Sequence, residues 1–159
     1  MSDSAQDRRR GRAADCRGRG PTRAAQVEAL RAQHAEACGH ALDDRARSDS
    51  GDPFQAPPHT VSAILTGDFN LRPEDPLHAR MTAPSEDPRA PAFVDAWQFL
   101  HPGQTQPPTI GVHDRAQWPD PYACDFIFAT RDLGPRLRAV AVDATTAASD
   151  HQPMLVELG

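Results

Sequence analysis

Almost every strand-like segment of this 159-residue chain lies after residue 60. The sharpest is ACDFIFAT (123–130), where Phe126 and Phe128 fall on one face and Asp125 and Ile127 on the other. A second run, Thr60–Thr66, stops at Gly67 within VSAILTGDFN. LRAVAVDA (137–144) alternates Leu137, Ala139 and Ala141 against Arg138, Val140 and Val142. SDHQPMLVEL (149–158) leads from a turn into a strand alternating Met154, Val156 and Leu158, and Thr109–Val112 starts a short strand of its own. Four or five strands with few helices between them imply an α/β fold of the α+β type. Its sheet is mixed or antiparallel, with at least one face covered.

The chain before residue 60 has a different character. Residues 1–21 show no hydrophobic period and read as a disordered Arg/Gly-rich arm, with a nucleic-acid-binding arm as the alternative. Residues 22–42 are helical in pattern, with Thr22 able to cap the start and Ala25, Val27, Leu30, Ala37 and Leu42 loosely on one face. His34 and His40 lie six apart and are expected at the surface. Residues 43–59 form a polar, Pro/Gly-rich loop, and residues 71–92 an irregular crossing with a short helix near Leu77–Met81. AFVDAWQFL (92–100) has the bulk for a buried helix or strand.

Charge divides the chain in the same place. Residues 1–23 carry seven arginines against three aspartates; the remainder carries ten arginines against nineteen acids. An acidic body of this kind repels a phosphate backbone unless a cation intervenes. Three cysteines without CxxC spacing argue against a disulfide scaffold or zinc ribbon, and a reduced cytoplasmic setting is expected. No apolar stretch approaches the ~18 residues of a membrane span.

Three polar stretches interrupt the strands. In Gly67-Asp68-Phe69-Asn70, strand alternation projects Asp68 and Asn70 together while Phe69 turns to the core. A carboxylate can hold a hard cation or take a proton from water, and an amide can donate to a phosphate oxygen. The same residues suit a turn in which Asp and Asn bond their own backbone. Asp125 introduces an ionisable group into an otherwise apolar strand; it needs a partner, or it lies at the strand's wet end. Ser149-Asp150-His151-Gln152-Pro153 sets an imidazole and a carboxylate at the start of the last strand, with Asp125 the candidate to orient His151. His113 and Asp114 offer a further contact or a solvated loop. Trp97 and Trp118 read as packing residues, and Cys124 as a small buried side chain.

In this order, LTGDFN, CDFIF and SDHQP resemble three C-terminal signature motifs of the endonuclease/exonuclease/phosphatase superfamily, and FVDAWQFLHPGQ (93–104) resembles the segment between the first two. The resemblance covers residues 22–159 and implies part of a DNase I-like four-layer α/β sandwich. It implies divalent-metal-dependent hydrolysis of a phosphate ester in nucleic acid, a lipid headgroup or a small phosphate. Mg²⁺ or Mn²⁺ would be the cofactor. The carried-over catalytic residues are Asp68, Asn70, Asp125 and His151; Asn70 and His151 would contact phosphate, and Asp150 with Asp68 would serve the metal. Phe126 stands where a tyrosine is common. The family's first half, with its metal-binding Glu, has no convincing counterpart, since Glu28 and Glu36 fall in the helix. The expectation is therefore of a truncated member with little activity. One of its sheet faces would be open to aggregation or a partner, and a catalytically inactive remnant that only binds is the alternative.

Overall fold

The computed structural model describes residues 20–43 and 59–159. Its elements are α1 (Gly20–Ala41), β1 (Ile64–Asp68), α2 (Pro76–Thr82), β2 (Phe93–Asp95), α3 (Ala96–Leu100), β3 (Asp125–Thr130), β4 (Leu137–Val142) and β5 (Met154–Leu158), with a 3-10 turn at Arg131–Arg136. Most of the expected N-terminal arm and of the 43–59 loop lies outside the described residues. The expected single sheet is instead two antiparallel sheets, one in the order β1-β3-β2 and the other a β4-β5 ribbon.

β3 organises the interior because both of its faces are apolar. Phe126 and Phe128 meet Val27, Leu71, Met81 and Phe93 beneath α1 and α2. On the opposite face, Ile127 and Ala129 meet Ala96, Leu137 and Val140, with Met154 and Val156 of the ribbon packed alongside. α1 and α2 therefore cover one face of the three-stranded sheet, and the ribbon together with α3 covers the other. Beyond the ribbon, Ala139, Ala141, Leu155 and Glu157 are exposed, Leu155 to 56%.

The alternation expected in β4 fails at one point. A register irregularity between Leu137 and Ala139 turns Leu137 and Val140 to the same inner face and leaves Ala139 and Ala141 outside. An inserted residue shifts every later side chain by one position, and no local composition announces it. AFVDAWQFL divides into strand and helix. Asp95 ends β2 and caps α3, accepting from the amides of Trp97 (2.8 Å) and Gln98 (3.4 Å). Asp75 caps α2 in the same way, with Pro76 in the first turn where a missing N–H costs nothing.

α1 has little apolar face, burying Val27 and Cys38 three turns apart, and polar ties hold much of it. Arg31 donates to the carbonyls of Arg80 and Ala83 at the free end of α2, and Glu28 receives both arms of Arg80 at 2.7 and 2.8 Å. His34 is not a surface histidine. Its ring lies 4.6 Å from that of Phe93, and Nε2 is 3.1 Å from the Pro91 carbonyl. His40 is exposed and pairs with Glu36. No helix among the described residues is long and apolar enough to cross a membrane.

Candidate functional site

The antiparallel register of β1 on β3 sets Asp68 directly opposite Asp125. This alignment turns two motifs some 57 positions apart into one locus at a sheet end. Gly67 reaches it with φ +151°, a backbone conformation that L side chains rarely adopt, although nothing lies within 4 Å of where its Cβ would be. The glycine is needed for conformation, not for space.

Asp68 and Asn70 do meet, but strand alternation is not the cause. β1 ends at Asp68, and Asn70 has φ 51°, in the left-handed region that Asn tolerates. The Asn70 amide N–H donates to Asp68 Oδ1 at 2.7 Å and its side-chain Nδ2 to Oδ2 at 3.2 Å. The turn geometry and the polar pocket are thus one arrangement. Arg23 of α1 holds the loop from outside by donating to the Asn70 carbonyl.

Asp125 finds its partner in the imidazole. His151 Nδ1 lies 2.9 Å from Asp125 Oδ2, so the carboxylate fixes the ring and its Nδ1 proton. Burial alone would lower the His151 pKa. The hydrogen bond and charge of Asp125, followed by the charges of Asp68 and Asp150, outweigh burial and raise it. Asp150 itself is exposed, accepts from Ser149 Oγ at 3.4 Å, and acts on the imidazole through charge.

One threonine ties these segments together. Thr109, fully buried, accepts on Oγ1 from the backbone N–H groups of Cys124 and Asp125, each at 3.0 Å. Its own carbonyl accepts from the Gln152 N–H at 2.7 Å, and Gly111 N–H donates to the Asp150 carbonyl. The strand expected at Thr109–Val112 is reduced to a bridge, in which Ile110 pairs with both Tyr122 and His151. That bridge seats the SDHQ turn beside the start of β3. Gln106 adds a bond from Nε2 to the Asp125 carbonyl at 2.9 Å. It also borders a cleft of about 250 Å³ lined by Glu74, Asp95, Trp97, Gln98 and Gln104. No other residue of that cleft belongs to the polar locus.

Cys124 is buried, as expected, but it is not a bystander. One ligand atom each from Asp68, Cys124 and His151 lies within 4.8 Å of the other two. The thiol contacts Asp125 Oδ2 at 3.5 Å, and burial, then the charges of Asp125 and Asp68, push its pKa far up. Only its adjacency to Asp125 hinted at this in the sequence. Asp150 is not one of the three converging donors. Magnesium asks for near-octahedral oxygen. Asp68 is the one carboxylate in this group, and Asp125 is committed to His151, so the cluster does not by itself meet that demand. Glu28 is occupied by Arg80 and does not join the cluster.

A second histidine–aspartate pair went unremarked in the sequence. His78 Nε2 and Asp95 Oδ2 are 2.8 Å apart with both side chains almost fully buried, and the His78 ring packs 4.7 Å from Phe126. It joins α2 to the end of β2 against the phenylalanine face of β3. His113 is exposed, and Asp114 caps its own turn by accepting from Ala116 and Gln117 amides. Trp97 packs against the ribbon-side core with Nε1 donating to the Gln104 carbonyl, and Trp118 lies against Gly111.

Compared with known proteins, the chain matches no family model, and no curated protein matches it significantly.

Proposed function

We propose that the Asp68–Asn70–Asp125–His151 locus is a phosphate-ester hydrolysis site of the endonuclease/exonuclease/phosphatase kind. The observation that carries this reading is the Asp125–His151 pair at 2.9 Å, placed at the strand end where Asp125 faces Asp68. Helices over one face of the three-stranded sheet and an antiparallel ribbon over the other are compatible with part of a four-layer sandwich.

Each residue has a task that its contacts support. Asp68, exposed at the end of β1, orients water and takes its proton. The imidazole of His151, biased toward its charged form by Asp125, donates to a non-bridging phosphate oxygen. Asn70 keeps one amide hydrogen beyond its bond to Asp68 and offers it to the same phosphate. A divalent cation such as Mg²⁺ or Mn²⁺ would offset charge developing on the phosphate. With one carboxylate in the cluster, it would arrive with the substrate phosphate instead of being held beforehand. Turnover is accordingly slow.

The test is hydrolysis of bis-p-nitrophenyl phosphate with added Mg²⁺ or Mn²⁺. Slow, cation-dependent release that Asp68→Ala and His151→Ala both reduce to background supports the reading. Release that persists unchanged in Asp68→Ala refutes it. A second reading, a phosphate-binding site without catalysis, is favoured by the absence of any glutamate from the donor cluster among the described residues. Inorganic phosphate binding by the wild type with no turnover above background would decide for that one.

A further inference from the structure

Phosphate-ester chemistry leaves one converging group without a task, the Cys124 thiol. A carboxylate, a thiol and an imidazole form the donor set of zinc and cobalt, not of magnesium. The geometry points to a thiophilic divalent cation, zinc foremost, bound by an Asp68 oxygen, Cys124 Sγ and the imidazole of His151, with the fourth position open. This inference rests on the same cluster but does not depend on its being hydrolytic.

The distances suit such an ion after a modest adjustment. Zinc bonds of about 2.0–2.3 Å in a tetrahedron separate the ligand atoms by roughly 3.3–3.8 Å. The three donors already lie within 4.8 Å of one another, so closure takes about an ångström of side-chain movement. Asp68, exposed at a strand end, supplies it by giving up the 3.2 Å bond from the Asn70 side-chain amide, while the other two donors are held more firmly. Thr109 holds the Cys124 main chain, and Asp125 orients His151 from behind, as carboxylates do for metal-bound histidines. Binding exchanges the Cys124 proton, and the second ring proton of His151 where the imidazole is charged, for the cation and releases them to solvent. Because Asp68 and His151 are shared, a bound zinc ion occupies the groups that the proposed hydrolysis uses.

Cobalt spectroscopy reads the site without reference to turnover. The full-length chain, reduced and kept free of oxygen, is titrated with Co²⁺. One equivalent should produce a thiolate-to-cobalt charge-transfer band in the near ultraviolet, and one equivalent of Zn²⁺ should remove it. Cys38→Ser should keep the band and Cys124→Ser should lose it, with circular dichroism confirming that each variant is folded. Asp125→Asn, which spares all three donors but alters the carboxylate that both His151 and Cys124 contact, should weaken cobalt binding about 10–100-fold. Absence of the band in the wild type, or its survival in Cys124→Ser, overturns the assignment. Since Cys124 is buried, Asp68→Ala at its exposed position gives an independent check. Unchanged cobalt affinity in that variant overturns the three-donor site as well.

Discussion

Replacing Thr109 by valine isolates the contact on which the whole locus hangs. Valine matches threonine in shape, so packing is kept while the Oγ1 acceptor disappears. Two buried backbone donors, the N–H groups of Cys124 and Asp125, lose their partner together. An orphaned buried donor costs about 1–3 kcal/mol, so the pair costs roughly 2–6 kcal/mol, with the lower half expected where the start of β3 can relax. Thr109→Ser is the matched control. It keeps the oxygen and sheds one methyl group, a loss of about 1 kcal/mol. Urea denaturation followed by circular dichroism measures both. Against a typical total of about 5–15 kcal/mol the valine variant should show a clearly lower midpoint, and its melting temperature should fall by roughly 5–15 °C. The order of the two variants is the decisive result. If valine proves as stable as serine or more so, the hydroxyl is not the fastening that joins β3 to the SDHQ turn.

Two other substitutions separate structural from chemical roles. At Asn70 the left-handed backbone favours glycine, so Asn70→Gly should melt near the wild type, while Asn70→Ala loses about 1–2 kcal/mol. Turnover should fall in both, since both lack the amide. Asp95→Ala removes the α3 cap and leaves His78 buried without its partner, for a loss of about 3–5 kcal/mol in urea titration. Asp95→Asn retains an acceptor for the α3 amides and should cost distinctly less.

What the sequence revealed was local, and what it concealed was set by distant contacts. The two faces of ACDFIFAT could be read because each face of β3 is uniformly apolar beyond Asp125, and period two needs no knowledge of neighbours. The pairing of Asp125 with His151 could be anticipated because a carboxylate entering an apolar strand requires a partner and few were on offer. Thr109 could not be found this way. A threonine in a Pro-rich loop carries no mark of being fully buried, and its two donors come from residues fifteen and sixteen positions on. His78 with Asp95, and Cys124 within the donor cluster, were hidden for the same reason, since nothing in their own segments names the partner. The ribbon's altered register escaped because a single displaced residue changes which side chains face inward without changing composition. His34 was misplaced because α1 docks largely by arginine and glutamate contacts, so its buried side was not visible as an apolar stripe.

The carboxylate at position 68 is the feature that folding alone does not explain. Across the sheet it faces Asp125, and like charges directly opposite one another weaken an antiparallel pair. The turn at Asn70 requires an acceptor at position 68, and an asparagine would supply that oxygen without the charge. Asp125 has its own reason to be charged, since it holds His151. A second carboxylate a strand away therefore gives up stability whenever His151 is neutral, the kind of local conflict that functional sites commonly carry. Asp68→Asn makes this measurable. It keeps the Oδ1 acceptor of the turn and removes the repulsion from Asp125 together with the attraction to a charged His151. The gain of a few tenths to about 1 kcal/mol should therefore appear at alkaline pH, where His151 is neutral, and that is where stability is measured. The same change should eliminate cation-dependent phosphodiester cleavage and weaken the cobalt complex. A variant that is less stable than the wild type would mean that the charge of Asp68 supports the fold, and the case for a reactive carboxylate would lose its physical basis.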